Sequence, residues 1–215
     1  MQIATKYGNI SPLTAIQGLV HDYLGIRLDY KTKSKMRITM PKHIEGILEA
    51  AAEDINSVAK TSAANRLFQV QEDGGTLTPV QADLLQTLMA RILLGSCRSR
   101  PDLKMAPNFL NMRVRNPDED DYKKLTCIIR YISGEQGMEI TLEAKPMDAI
   151  IWWIDASYGV HQDSKVHFVE IMMFGKGTAY SKSSKHRINS RISTESIIIG
   201  VDDHMPGILW TLRLL

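Results

Sequence analysis

The sequence predicts an α+β fold, a strand pair with helices followed by a mixed β-sheet closed by one helix. Three observations carry that expectation. Short apolar runs flank a polar KTKS stretch at 31–34, the pattern of a hairpin. Helical spacing of apolar residues dominates from Pro41 to Ile132. After Gly137 the period shortens to that of strands, and it turns helical again only at Ser193.

Taken in order, Val20 to Tyr30 and Lys35 to Met40 read as the two strands of the hairpin. Pro41 opens a helix with Ile44, Ile47, Leu48 and Ala51 on one face. Residues 53–77 lose periodicity and contain Gly74-Gly75, which marks a loop. Thr78-Pro79 is a helix start, a capping hydroxyl followed by proline at the first helical position. Leu84, Leu85, Leu88, Ile92 and Leu93 form its buried stripe, and a shorter helical segment spans Leu103 to Val114. The stretch PDEDDYKKL at 117–125 places acids in a first turn, where the helix dipole favours them, and that helix runs to Gly134.

Glu139 to Leu142, Ala149 to Ser157, Val166 to Phe174 and Thr178 to Ser183 read as strands. From Ser193 to Leu215 a final helix repeats Ile198, Val201, Met205, Leu209 and Leu212 at spacings of three and four, with Ser193 as N-cap and a kink at Pro206. A boundary near residue 145 divides the chain into regions 1–145 and 146–215.

Composition narrows the class. At 44% hydrophobic and 23% charged, the 215-residue chain reads as a packed protein rather than a disordered one. Twenty-six basic residues against twenty-four acidic leave a net charge of +2, so any case for nucleic acid rests on local clusters. Cys97 and Cys127 have no metal-ligand spacing and are too few for a disulfide scaffold, which points to a reducing, intracellular setting. No apolar run approaches a membrane span, and the start MQIATKYGNISPLT does not read as a signal peptide.

Asp155 is the informative acid. It follows the apolar run AIIWWI, at or near the end of a strand expected to be buried. A carboxylate in such a place needs a partner, such as a metal ion. The plainer reading is an acid at a strand exit that bonds to its own turn.

The run WWIDASYGVHQDSK, then GKGTAYSKSSKHRINSRISTES, then VDDHMPGILWT closely resembles the ribonuclease H region of copia-type LTR retrotransposon polyproteins. HDYLG at 21–25, RPDLKMA at 100–106 and PDEDDYKKL at 117–125 resemble the end of that family's reverse transcriptase and its link to the nuclease. The segments stand in the family's order and spacing over nearly the whole chain.

The resemblance implies a reverse transcriptase thumb- or connection-like region over 1–145, followed by the N-terminal part of a ribonuclease H-like domain over 146–215. The parent enzyme uses clustered carboxylates to hold two magnesium ions and cleave RNA in RNA–DNA hybrids. The family's first catalytic acid maps onto Asp155, as a metal ligand. Its catalytic glutamate maps onto Ile197, and the later aspartates have no counterpart here. Glu195 and Asp202 lie roughly 140–160° around the helix from position 197, so neither substitutes for it. Glu195 is expected to serve the helix N-terminus instead.

Two more departures agree. The family's His-Thr-Gly-Gly is His167-Phe168-Val169-Glu170 here, which replaces two permissive glycines with bulk and charge. No Tyr-x-Asp-Asp turn precedes HDYLG, and Asp202-Asp203 belongs to the nuclease-like helix. The expectation is therefore a fragment or relic that cuts nothing and binds no magnesium productively.

Two basic clusters remain, Arg27, Lys31, Lys33, Lys35 and Arg37 around the first hairpin, and Lys176, Lys182, Lys185, Arg187 and Arg191 before the last helix. If the second shares a face with Asp155, it could contact the phosphates of an RNA–DNA hybrid. The plainer reading is a solvated polar face. Trp152 and Trp153 alternate across a strand, so one is expected in the core and the other over a domain interface. The alternative to a relic is a retained, non-cutting nucleic-acid-binding or interaction module, with other parts of the parent polyprotein as further possible partners. A third reading is an enzyme completed by another chain.

Overall fold

Just beyond Val20 the chain reverses twice within twenty residues. The computed structural model describes residues 17–51, 57–71, 74–143 and 149–213. In it, β1 (Val20–Tyr23), β2 (Ile26–Asp29) and β3 (Lys35–Thr39) form an antiparallel meander. The single strand expected over 20–30 is thus two strands. Leu24 (φ 49°) and Gly25 (φ 79°) make a two-residue turn with both central residues left-handed, as tight hairpins require. Leucine rarely adopts that conformation, which hid the turn from sequence patterning.

A fourth strand, β4 (Ile140–Glu143), pairs with β3, Lys35 opposite Glu143. The expected strand pair is therefore a four-stranded sheet, closed by a strand more than a hundred residues downstream. The boundary expected near residue 145 lies outside the described residues, as do the N-terminal stretch weighed as a leader and the last two residues of the expected final helix.

Four helices build the main core: α1 (Pro41–Ala51), α2 (Pro79–Arg98), α3 (Met105–Asn111) and α4 (Glu119–Gly134). Ile47, Leu85, Leu88, Ile92, Leu110, Ile128 and Ile132 are all buried within it. Thr78 caps α2 in a reciprocal box with Gln81, and Asp118 caps α4 in the same way with Asp121.

Two of the family-like motifs are folding devices in this structure. Arg100, from RPDLKMA, is 1% exposed; it grips Asp102 through Nε and Nη2 (3.0 and 2.8 Å) and donates to the Glu135 carbonyl at the end of α4. Arg113 bridges Asp118 and Asp121 of the acidic stretch at 3.0 and 3.1 Å. Burial of Asp121 raises its pKa nonetheless.

The second sheet holds β5 (Ile150–Ser157), β6 (His167–Phe174) and β7 (Thr178–Lys185) in that order. Among the described residues every strand pair is antiparallel, which corrects the expected mixed sheet. The links 158–166 between β5 and β6 and 175–177 between β6 and β7 are both shorter than the crossover that parallel pairing needs. A parallel partner would need a crossover, and no described strand follows the last helix.

That helix, α5 (Ser193–Arg213), continues through Pro206 and packs over β5. Ser193 is its first helical residue rather than a cap outside it. Ser196, Gly200 and His204, spaced by four, are its buried line. A Cβ on Gly200 would sit 2.8 Å from Phe168 Cε1 and 3.3 Å from Ile154 Cγ2, so glycine sets how closely helix and sheet approach. The second core is small: Ala156, Val166 and Phe168, with Ile199 against them.

The two sheets meet where Glu143 and Lys176 exchange backbone hydrogen bonds of 2.9 Å. His161 and His167 add to the seam by packing against Phe68. Among the described residues no helix is long and apolar enough to cross a membrane.

Candidate functional site

Strand register decides what surrounds Asp155. Along β5, Ile151, Trp153 and Asp155 point to one face and are exposed, while Trp152, Ile154 and Ala156 point toward α5. Asp155 is therefore exposed, two residues before the strand's last position, and not the buried carboxylate that its apolar neighbours suggested. Its Oδ1 accepts from the Ala156 N–H at 2.9 Å, a bond to its own backbone that satisfies it locally. The run AIIWWI is apolar on both faces, but α5 covers only one.

Ile197 is 43% exposed and lies beside the Ser196–Gly200–His204 line that meets the sheet. Glu195 accepts from the Arg191 N–H at 2.5 Å, so its carboxylate serves the start of α5 as expected. Asp202 is exposed, and Asp203 pairs with His186 at 2.7 Å. Among the described residues, no three His, Cys, Asp or Glu side chains converge. Magnesium needs several hard oxygen ligands in octahedral array, so the residues around Asp155 do not fit a two-magnesium centre.

The basic residues are dispersed and largely paired. Lys182 lies opposite Glu170 on the α5 face of the sheet, while Asp155 lies in the Val169–Ser183 row of the other face. Lys182 meets Glu170 at 3.5 Å, Lys176 meets Glu143 at 3.5 Å, and Lys185 meets Asp163 at 2.8 Å. Arg187 and Arg191 are exposed on the link to α5. The first cluster is paired in the same way, with Arg27 on Asp22, Lys31 and Arg37 on Asp29, and Lys35 on Glu143. Trp153 stands 62% exposed on the open face of β5, and Trp152 is half-buried beneath α5.

Sequence reasoning missed the densest polar cluster. Glu170, where the resembling family carries glycine, is 2% exposed. Its Oε2 lies 3.0 Å from His204 Nε2, and its Oε1 accepts from the Tyr180 hydroxyl at 3.1 Å. His204 Nδ1 faces the Gly200 carbonyl at 2.5 Å. A carbonyl oxygen only accepts, so Nδ1 is the donor in that contact and Nε2 is the ring nitrogen turned to the carboxylate. Burial, then the Glu170 charge, pushes Tyr180 up to about 12. The sequence signal was available: Glu170 alternates with Phe168 and Met172 on the inward face, four-residue spacing places His204 on the buried line of α5, and both are polar.

A second buried chain runs His161–His167–Ser183. His161 Nε2 is 3.1 Å from His167 Nδ1, and His167 Nε2 is 2.7 Å from Ser183 Oγ. Burial above all, then the neighbouring His161, lowers His167 to about 4. Burial lowers His161 as well. Both are neutral at pH 7. Ser183 and His167 are 5% and 1% exposed, so this serine–histidine contact is closed to substrate and serves packing.

Comparison with protein-family models, with curated proteins and with solved structures gave no match.

Proposed function

We propose that this chain is a fragment or relic of a copia-type retrotransposon polyprotein, the tail of a reverse transcriptase joined to the head of a ribonuclease H, and that it cuts no RNA. The family part of this reading is supported by the ordered motifs from HDYLG to VDDHMPGILWT. One observation carries the inactive part: the acid at the family's first catalytic position is exposed, bonded to its own Ala156 N–H, with no converging carboxylates among the described residues. Isoleucine at 197 agrees with it.

Incubating the purified chain with an RNA–DNA hybrid and magnesium tests the reading. No cleavage above a protein-free control is expected. Magnesium-dependent cleavage that disappears in Asp155→Asn would overturn it. The pairing of Lys176, Lys182 and Lys185 with acids of the same chain also argues against a strong phosphate-binding face.

A further inference from the structure

The second sheet ends in β5, and among the described residues no strand pairs with its outer side. Two hydrogen bonds fix which backbone groups point that way. The His186 N–H donates to the Val166 carbonyl at 2.9 Å, so even-numbered residues of β6 turn to β7 and odd-numbered ones to β5. Register then turns the odd-numbered residues of β5 to β6, and the N–H and C=O groups of Ile150, Trp152 and Ile154 point outward. The Ala156 N–H, next in that row, meets the Asp155 carboxylate at 2.9 Å, which ends the free stretch of edge.

α5 carries an apolar flank toward the same edge. At about 100° per residue, Asp203 and Trp210 lie on one side of the buried Ser196–Gly200–His204 line. Ile197, Val201, Met205, Ile208 and Leu212 lie on the other. Asp203 and Trp210 look over β6 and β7, where they line a groove with Tyr180 and Lys182. The apolar flank therefore overhangs the outer edge of β5. Ile197, Val201, Met205 and Leu212 are between 37% and 56% exposed there.

We propose that edge and flank together form a two-fold interface with a second copy of this chain. Set antiparallel to its copy about Trp152, β5 matches Ile150 with the partner's Ile154 and Trp152 with the partner's Trp152. Every outward backbone group then meets a complementary one. Ile151 falls beside the partner's Trp153, and both Asp155 carboxylates stay outside the paired stretch. A register centred on Asp155 would oppose like charges, so charge and hydrogen bonding select the same alignment.

The helix obeys the same axis. Gly207 lies against Trp152 and Gly200 against Ile154, so an axis through Trp152 passes near the middle of the flank. Met205 meets the partner's Met205 there, Val201 the partner's Ile208, and Ile197 the partner's Leu212. Because α5 touches Trp152 of β5 and Glu170 of β6, it stands over the gap between these strands. With strands about 4.8 Å apart, two such helices lie about 10 Å apart across the axis, a normal packing distance. Flank, Ile151 and Trp153 expose several hundred Å2, against roughly 800 Å2 that a standard interface takes from each partner, and the strand edge adds to it. None of this rests on the polyprotein reading.

Sedimentation equilibrium of the full-length chain over a range of concentrations tests the interface. A reversible monomer–dimer equilibrium is expected, closing at twice the 24.2 kDa chain mass. Met205→Glu and Met205→Lys, at an exposed position, should each weaken the dimer at least about tenfold, because like charges meet at the axis. Mixed in equal amounts, these two variants should pair again. Ile150→Pro removes one outward N–H per copy at the first residue of the strand, and should weaken the dimer about fivefold or more. Far-UV circular dichroism checks that the variants fold. On the unaltered chain, amide exchange at Trp152 and Ile154 should slow as concentration rises, and this decides the matter if a variant does not fold. A monomer at every concentration would overturn the proposal, whether these amides exchange fast or are already slow because the chain itself covers the edge. So would mass that grows without closing, a dimer that Met205→Glu and Ile150→Pro leave unchanged, or a charge mixture that stays monomeric.

Discussion

His204 Nε2 lies 3.0 Å from Glu170 Oε2, tying the middle of α5 to the middle of β6 through a pair of which neither member is more than 9% exposed. Breaking one side of such a pair strands the other. Glu170→Ala should destabilise the chain by about 3 kcal/mol or more, read from urea unfolding. The double variant Glu170→Met with His204→Leu should recover much of that loss, because two apolar groups of similar size leave nothing unsatisfied. A double variant no more stable than the single one would show that the loss does not come from a stranded His204.

His167 gives the fold a pH dependence of definite sign. Its pKa falls from 6.5 to about 4 on folding, so the unfolded chain takes up the proton first. Its contribution is complete above pH 6.5, declines as pH falls toward 4, and changes no further below that; the shift corresponds to about 3 kcal/mol. His161, also lowered, acts in the same direction. The thermal midpoint should drop between pH 7 and pH 4.5, and His167→Asn should flatten that drop.

Gly200→Ala places a methyl group against Phe168 and Ile154. Overpacking of this kind costs about 1–3 kcal/mol. Trimming the opposing ring in Gly200→Ala with Phe168→Leu should restore part of the loss, since the ring is the nearest obstacle. Thermal melts of the single and double variants decide it.

Arg100→Lys keeps the charge but loses the fork that grips Asp102 and reaches the Glu135 carbonyl. At 1% exposure the lost bonds cannot be replaced by water, and a penalty of about 2–4 kcal/mol is expected in urea unfolding. A change under about 0.5 kcal/mol would mean that the lysine finds equivalent partners.

Asp155→Asn should leave stability within about 0.5 kcal/mol of the parent, as for surface positions generally. A large gain on this change would reveal a repulsive carboxylate and a crowding that the exposed position does not suggest.

Much of the first half was legible because its signals are local. Thr78-Pro79, the acids at 118–121 and the stripe from Leu84 to Leu93 each state their element within a few residues. Pairing was not legible. Nothing near Ile140 says that it adds to β3, and Leu24-Gly25 hides a turn inside an apolar run. Asp155 was misplaced for a related reason: β5 carries apolar residues on both faces, and only the position of α5 tells which one is covered. Glu170 was visible as a charge within an inward-facing row, but its partner lies thirty-four residues away, on an element whose buried side is known only after packing.

β5 is an outermost strand of its sheet, eight residues long, without proline, lysine or glycine, and with Ile151 and Trp153 bare on its open face. An edge with no such guard is a template on which another extended segment can register. Its cost falls on handling rather than chemistry. Yield and clarity of the purified material should depend steeply on concentration, and a single lysine at Trp153 should widen the workable range.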